Sequence, residues 1–455
     1  MIKYEEVRDL TIQERVNMAA RLYERDDYIN AETVLTYILD ADPFNQAAMS
    51  IMSSVYLAQD RYGLAEVMFR ATHATWPNLI NPLIGIGSAI RNPARFKESF
   101  QYLDMALEIE PNNTIALTNK ACMLNEIGKY DEAIELAEKS AELMDFDVSP
   151  ALTDCIALAS LGNEDFEKGF SLNRKSLGIK FRKEVVYGDE KVWDGEENGI
   201  VVIYGEQGLG DEIFYGSCIP DAIEHSKHII IDCDSRLEGL FKRSFPDASV
   251  YGTRRKAAPW LNQHTWDYRS AMADLPAFFR KKKEDFPGKP FLKADPVRVS
   301  QWASTFEGKP KIGIATRGGN KYTNREDRTI PLETFLPLTE FGDLVSLEYS
   351  SMDYGDFPIE VYEWATMSED YDDTAALIAN LDYVVTTCTS VVHLAGALGI
   401  PCYVLRNKYY SWRYAHQMPF YDSVTIIHCD GNWEEGMEEV VSLIEQRGNV
   451  QRIAK

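Results

Sequence analysis

A step of 34 residues runs through the first third of the chain and restricts its fold more than any other feature. Tyr28, Tyr62, Phe96 and Tyr130 stand 34 apart, as do Ala31, Ala65, Ser99 and Ala133. Ala19, Ser53, Gly87 and Ala121 keep the same step. So do Pro43, Pro77 and Pro111, with Asp145 where a fourth proline would fall. A self-similar unit of this length is one supersecondary motif that cannot bury its own apolar face, so neighbours must stack. The small residues let paired helices cross closely, and the aromatic fills the gap to the next pair. Proline, lacking an N–H, ends the second helix. Residues 12–147 therefore predict four stacked helical hairpins. A looser fifth is expected over 150–180, where Phe166 follows Tyr130 by 36 and Gly169 takes the alanine place.

This pattern resembles the tetratricopeptide repeat, which implies an α-helical solenoid with a groove suited to a protein or peptide. The acidic, glycine-containing stretch 188–199 reads as a domain boundary, so the repeat domain is expected to occupy residues 1–187.

The pattern then changes. Ile200-Val201-Val202-Ile203-Tyr204 is short, β-branched and closed by glycine, the signature of a buried parallel strand. Gly205, Gly208 and Gly210 follow in a G-x-x-G-x-G spacing, with Asp211 and Glu212 opening a helix over 212–226. That spacing is neither the dinucleotide fingerprint nor the phosphate loop. Its place matters more, because open α/β sheets bind ligands beyond the carboxyl ends of their strands. Glycines there allow close backbone approach to a ligand. Strands are expected at 228–233 and 248–251, with a helix at 236–245 between them, and 254–283 reads as loop-rich. A second α/β half starts near residue 309. Its first strand, 311–316, ends in Arg317-Gly318-Gly319-Asn320. Strands at 344–347, 381–387 and 402–405 follow, with helices at 332–339, 374–380 and 434–447. Thr389 and Ser390 cap a helix running to Leu398. The expected domains are 188–305 and 306–455, facing each other across a cleft.

Net charge is -24, yet residues 227–311 hold 17 Lys/Arg against 10 Asp/Glu. Such a segment can mark where an anionic partner lands. Its clusters, Arg254-Arg255-Lys256 and Arg280 to Lys283, are interleaved with Trp260, Trp266 and Tyr268, a pattern suited to a polyanion. The seven cysteines form no C-x-x-C pair and the seven histidines no zinc spacing. Reduced thiols, a cytoplasmic location and no metal are the expectation. The start is polar and acidic, unlike a secretory signal, and no apolar run reaches the length of a membrane span.

The stretch from Cys388-Thr389-Ser390-Val391-Val392-His393 to Gly399-Ile400-Pro401 resembles the heptosyltransferase-like glycosyltransferases. These have two facing Rossmann-like domains, the GT-B arrangement, and the likeness is greatest to their tetratricopeptide-fused members. Glu206 to Glu212 matches their E-Q-G-L-G-D-E, and Thr316 to Gly319 their strand end. Arg328-Thr329-Ile330-Pro331-Leu332 matches R-S-I-P-L, and Ser411-Trp412-Arg413-Tyr414 a later D-W-R-W. The resemblance spans about residues 190–430.

It implies an inverting transfer of a sugar from a nucleoside-diphosphate sugar to an acceptor hydroxyl, without a cofactor. Asp211 would be the general base, with Glu206 in reserve. Thr389, Ser390 and the first turn of their helix would bind the donor diphosphate. Thr316, Arg317, Arg328 and His393 join that donor side, and the arginines offset leaving-group charge. Arg254, Arg255, Lys256, Trp412 and Arg413 fall on the acceptor side. The acceptor would be a protein gathered by the repeats, a glycan, or a polyanion such as a hydroxylated base in modified DNA. One departure stands out: Cys388 takes the place of the family's aspartate, and a thiol cannot accept or carry charge as a carboxylate does. That favours a competing reading, a repeat scaffold carrying a degenerate enzyme. A nucleotide-dependent oxidoreductase ranks below both, lacking the dinucleotide fingerprint and a well-placed acid after the second strand.

Overall fold

The computed structural model describes residues 2–90, 95–145, 149–179, 182–254, 258–306, 308–319, 325, 328–408 and 411–453, with side chains as far as 447. The chain forms two compact units, Met1–Cys155 and Ile156–Lys455.

In the first unit the helices pair as Ile12–Glu24 with Tyr28–Ala41, Gln46–Ala58 with Tyr62–Thr75, Ile80–Ala89 with Phe96–Ile109, and Thr114–Glu126 with Tyr130–Leu143. Every second helix begins on the periodic aromatic. The periodic small residues Ala19, Ser53, Ala121, Ala31, Ala65, Ser99 and Ala133 are fully buried. At Gly87 a Cβ would stand 2.7 Å from Leu103 Cγ, so even one added carbon would push the helices apart. The turns inside the hairpins carry a left-handed residue on the same step, Asp26 (φ 59°), Asp60 (φ 58°) and Gly128 (φ 76°). Tyr28 and Tyr62 each donate a 2.5 Å hydrogen bond to that turn aspartate. Asn45 and Asn113 cap the next helices by accepting from Ala48 and Ala116 N–H at 3.0 Å. Pairs Arg61–Glu32 (2.7 Å) and Arg95–Glu66 (2.6 Å) tie successive hairpins, also 34 residues apart.

The fifth hairpin is formed by Pro150–Gly162 and Phe166–Arg174. In the second unit, Leu161, Phe166 and Phe170 belong to the core of the sheets. Phe166 meets Phe286 at 4.8 Å, and Phe170 meets Trp412 at 5.9 Å. The expected boundary at 187/188 thus falls inside the second unit, which begins at Ile156.

The second unit holds two parallel sheets. The first contains β1 (Lys191–Val192), β2 (Ile200–Tyr204), β3 (His228–Asp232), β4 (Ser249–Tyr251) and β5 (Tyr268–Ala271), in the order β1-β5-β2-β3-β4. The second contains β6 (Lys311–Ala315), β7 (Asp343–Ser346), β8 (Ile359–Glu360), β9 (Tyr383–Thr386), β10 (Cys402–Arg406) and β11 (Val424–His428), in the order β11-β10-β9-β6-β7-β8. Both are doubly wound. Chain order reverses between β2 and β5 and between β6 and β9, and such a reversal opens a crevice at the carboxyl ends. The glycine loop after β2, the Arg317-Gly318-Gly319 turn after β6 and the Thr387–Ser390 segment after β9 stand at these two points.

Four strands, β1, β5, β8 and β11, and the helix Pro296–Thr305 go beyond the sequence reading. β5 was hidden because Tyr-Arg-Ser-Ala has no apolar run; Arg269 is buried there through ion pairs with Glu184 (2.8 Å) and Glu190 (3.2 Å). The helix expected over 212–226 is two helices, Leu209–Gly216 and Ile219–Glu224, the second opening with Pro220. Residues Leu332–Glu340 form a 3₁₀ helix containing Pro337. One continuous core joins the two halves, running from Val201 and Ile231 to Val384 and Val404. The rings of Phe214 and Phe420 approach to 3.9 Å across it.

Candidate functional site

The glycine loop is shaped by its own protein contacts. A Cβ at Gly205 would lie 2.1 Å from a Glu212 carboxylate oxygen, and one at Gly210 only 3.1 Å from Ser390 Cβ. These glycines let Glu212 fold back over the end of β2 and let the loop press on the helix Ser390–Leu398. Asp211 is the third residue of the helix Leu209–Gly216. Its Oδ2 accepts the Gly208 N–H at 3.0 Å, and its Oδ1 pairs with Arg413 Nη1 at 2.7 Å. Arg413 also donates to the Tyr215 hydroxyl at 3.1 Å and lies 4.6 Å over the Phe214 ring.

The loop's other two carboxylates are buried. Glu206 accepts from Arg182 Nη2 at 3.0 Å, and the same nitrogen reaches Asp274 at 2.7 Å. Burial raises the Glu206 carboxyl above its ordinary range despite Arg182. Glu212 meets Arg254 at 2.6 Å and accepts the Asp234 N–H at 2.8 Å. Burial still outweighs that arginine and pushes Glu212 up to about 8. Arg254 bonds the Gln207 carbonyl and pairs with Asp234 at 2.6 Å. Glu206 and Arg254, read from sequence as reserve base and acceptor contact, are therefore consumed by structural ion pairs.

At the second sheet, Glu348 organises the turn after β6. Its Oε1 accepts from Thr316 N (2.6 Å) and Thr316 Oγ1 (2.8 Å), and its Oε2 pairs with Arg317 Nε at 3.1 Å. Arg317 Nη2 donates to the Ser350 carbonyl at 3.0 Å. Thr389 caps its helix, accepting from Val391 N–H at 3.0 Å. His393 is buried, with Nε2 3.3 Å from the Tyr414 hydroxyl and Nδ1 without a partner among the described residues. Burial, aided by Arg413, brings its pKa down to about 3, so the ring is neutral. Cys388 is buried and its thiol pushed up to about 11, although Arg328 and Arg406 pull it back. Arg328 thus stands near Cys388 and, among the described residues, has no carboxylate partner.

The fold therefore gathers Asp211, Arg413, Ser390 and His393 in one place. Trp412 is spent on packing, edge-on to Phe170 and Phe214. Arg255, Lys256 and Asn320 lie outside the described residues. Of the interleaved aromatics of the basic segment, Trp260 is buried against Val202 and Ile230, while Trp266 and Tyr268 are half-buried. Arg280 is buried on Asp221 at 2.6 Å, and Lys283 meets Glu164 at 2.7 Å. An acid does end β3, the second strand that the sequence predicts: Asp232. Its oxygens accept from Tyr187 OH (2.6 Å) and Thr253 Oγ1 (2.7 Å), and the side chain is buried. Sequence reasoning missed Arg182 and Glu348. Glu348 had a faint signal as an acid directly after a strand; Arg182 had none.

Among the described residues no three His, Cys, Asp or Glu side chains are grouped to hold a metal ion, and no helix is long and apolar enough to cross a membrane. A surface depression of ≈ 570 Å³ lies before β1 and β5, between residues 188–191 and 264–268. It is at the amino ends of the strands, away from the switch-point loops.

Comparison with known proteins identifies the repeats. Residues 102–135 match the family model described as tetratricopeptide repeat. The chain is 26% identical over 405 residues to Protein FlbA of Caulobacter vibrioides (strain ATCC 19089 / CIP 103742 / CB 15), covering 79% of this chain and 66% of FlbA, just under two thirds of its length. It is 29% identical over 184 residues to the Hsp70-Hsp90 organizing protein of Triticum aestivum, covering 37% of this chain and 30% of that protein. Among solved structures it is similar to TTC0263, a thermophilic TPR protein of Thermus thermophilus, at 16% identity and TM-score 0.33, over 37% of this chain and 91% of that one. It is also similar to pilF of Pseudomonas aeruginosa, at 18% identity and TM-score 0.32, over 37% and 78%.

Proposed function

We propose that residues 188–455 are a glycosyltransferase of the GT-B arrangement, moving a sugar from a nucleoside-diphosphate sugar to an acceptor hydroxyl. One observation carries the reading: two doubly wound parallel sheets bring their switch-point loops together, the Asp211 loop of one against the Ser390 helix of the other. The donor diphosphate belongs at the first turn of Ser390–Leu398, where helix N–H groups and Arg328 supply positive charge. Asp211 takes the hydroxyl proton. A protein acceptor brought by the repeats fits better than a polyanion, because Trp260, Arg269 and Arg280 of the basic segment are buried in the fold. A relative named for organising Hsp70 and Hsp90 agrees with a protein partner.

Thermal shift against UDP, GDP, ADP, CDP and dTDP tests the donor site. A nucleotide at about 100 times its Kd stabilises the folded chain by about 2.7 kcal/mol. No shift with any of them sinks the transferase reading. A second reading, a repeat scaffold with a degenerate transferase, is favoured by Arg317 being held on Glu348 and by Cys388, a buried neutral thiol where the resembling enzymes carry a carboxylate. Nucleotide binding without any sugar transfer would select it.

A further inference from the structure

We propose that Arg413 is a positioning residue that fixes Asp211 for proton abstraction, so that the base is assembled from both sheets; this rests on the transferase reading above. Asp211 follows β2, whereas Arg413 follows β10. The guanidinium is held on several sides. Nη1 lies 2.7 Å from Asp211 Oδ1, Nη2 donates to Tyr215 OH at 3.1 Å, and Cζ lies over the rings of Phe214 (4.6 Å) and Tyr215 (5.3 Å). Arginine suits this role because its donors form a rigid planar fork that also stacks on aromatic faces.

The carboxylate is anchored through both oxygens, one on Arg413 and one on the Gly208 N–H at 3.0 Å. An ionised carboxylate offers about four lone-pair sites, so these two bonds leave others for a substrate hydroxyl. Asp211 is also the accessible acid of its loop: its side chain is 25% exposed, against 1% for Glu206 and 1% for Glu212. In the step it serves, the hydroxyl proton passes to Asp211 and the freed oxygen bonds to the anomeric carbon. The bond from that carbon to the diphosphate breaks, and its electron pair leaves on the diphosphate. Arg413 stays charged throughout and keeps the accepting oxygen in line. The sequence reading had placed this arginine against the acceptor; its neighbours give it to the base instead.

The test follows nucleotide release from UDP-glucose, UDP-N-acetylglucosamine, GDP-mannose and ADP-glucose with water as acceptor, together with titration of the matching nucleoside diphosphate. Arg413→Ala is expected to lower kcat roughly 10²-fold, the scale of a misplaced catalytic group. KM and nucleotide affinity should stay within about threefold, since uniform binding is untouched. Added guanidinium ion should restore part of the rate in Arg413→Ala and none in Asp211→Asn. Arg413→Lys, which keeps the charge but not the fork, should fall between, and it takes the place of the alanine variant if that one does not fold. A kcat within a few-fold of wild type, a parallel loss of nucleotide affinity, absence of rescue, or misfolding of both variants would each make Arg413 a structural contact and overturn the proposal. Wild type that binds a nucleoside diphosphate but releases none from these sugars overturns this proposal alone. Failure to bind any nucleotide overturns the transferase reading with it.

Discussion

The two units handle charge in opposite ways. Among the described residues, the first unit buries one charged side chain, Arg15, which donates to the Val7 and Arg8 carbonyls. The second buries eleven, Arg182, Glu206, Glu212, Asp232, Arg269, Asp274, Arg280, Lys311, Glu348, Asp372 and Arg406. A repeat needs only small and aromatic residues at fixed spacing, because each hairpin is completed by its neighbour. Two sheets with opposed loops must settle the polar ends of many strands in little space, and they do so with ion pairs between distant residues. Arg182 reaches Asp274 across 92 positions and Arg243 reaches Asp372 across 129. The first unit should therefore fail through packing and the second through unpaired charge.

The largest effect expected is at Arg182. Arg182→Met takes the guanidinium from buried Glu206 and leaves Asp274 with Arg174 at 3.8 Å, which costs about 3–5 kcal/mol. Urea unfolding of the second unit reads it, and adding Glu206→Gln and Asp274→Asn should recover most of the loss. A cost below about 1 kcal/mol would break the contrast.

Gly87→Val comes next. Its side chain must enter the space of Leu103, and overpacking of this kind costs about 1–3 kcal/mol. Hydrogen exchange should show the loss confined to the hairpins around residue 87. A neutral outcome would mean that the repeats tolerate volume where the sequence period demands a small residue.

Acid sharpens the picture at His393 and Glu212. The folded pKa of His393, about 3, lies below its ordinary 6.5. The unfolded chain takes up that proton first, and stability falls as pH drops from 6.5 toward 3. Between pH 7 and 5 the loss is roughly 1–2 kcal/mol, and His393→Leu should flatten it. Glu212 acts in the opposite sense. Its folded pKa, about 8, lies above its ordinary 4.5, so its contribution is complete below 4.5 and lost as pH rises through 8. Melting temperatures of His393→Leu and Glu212→Gln across pH 5–9 should bend in opposite directions; parallel curves would show that neither burial sets the profile.

The smallest effect belongs to the surface pairs of the repeats. Glu32→Gln removes the partner of Arg61 and should cost only about 0.2–1 kcal/mol, because solvent screens an exposed pair. A loss comparable with that of Arg182→Met would erase the distinction between the units.

What the sequence by itself determined is what local spacing can encode. The 34-residue period specified the hairpins, because helix pairing there depends on neighbours in the chain. The apolar runs at β2, β3, β6, β9 and β10 were equally legible, since a buried parallel strand must be apolar on both faces. The motif residues of the candidate site were legible as well, by resemblance. Their partners were not. That Arg413 meets Asp211, that Arg182 takes Glu206 and that Glu348 holds Arg317 depend on which loops the crossovers bring to the same end of a sheet. Only the tertiary structure decides this, because an ion pair between distant residues leaves no period in the chain, and a charged residue looks the same in sequence whether it faces water or a buried partner.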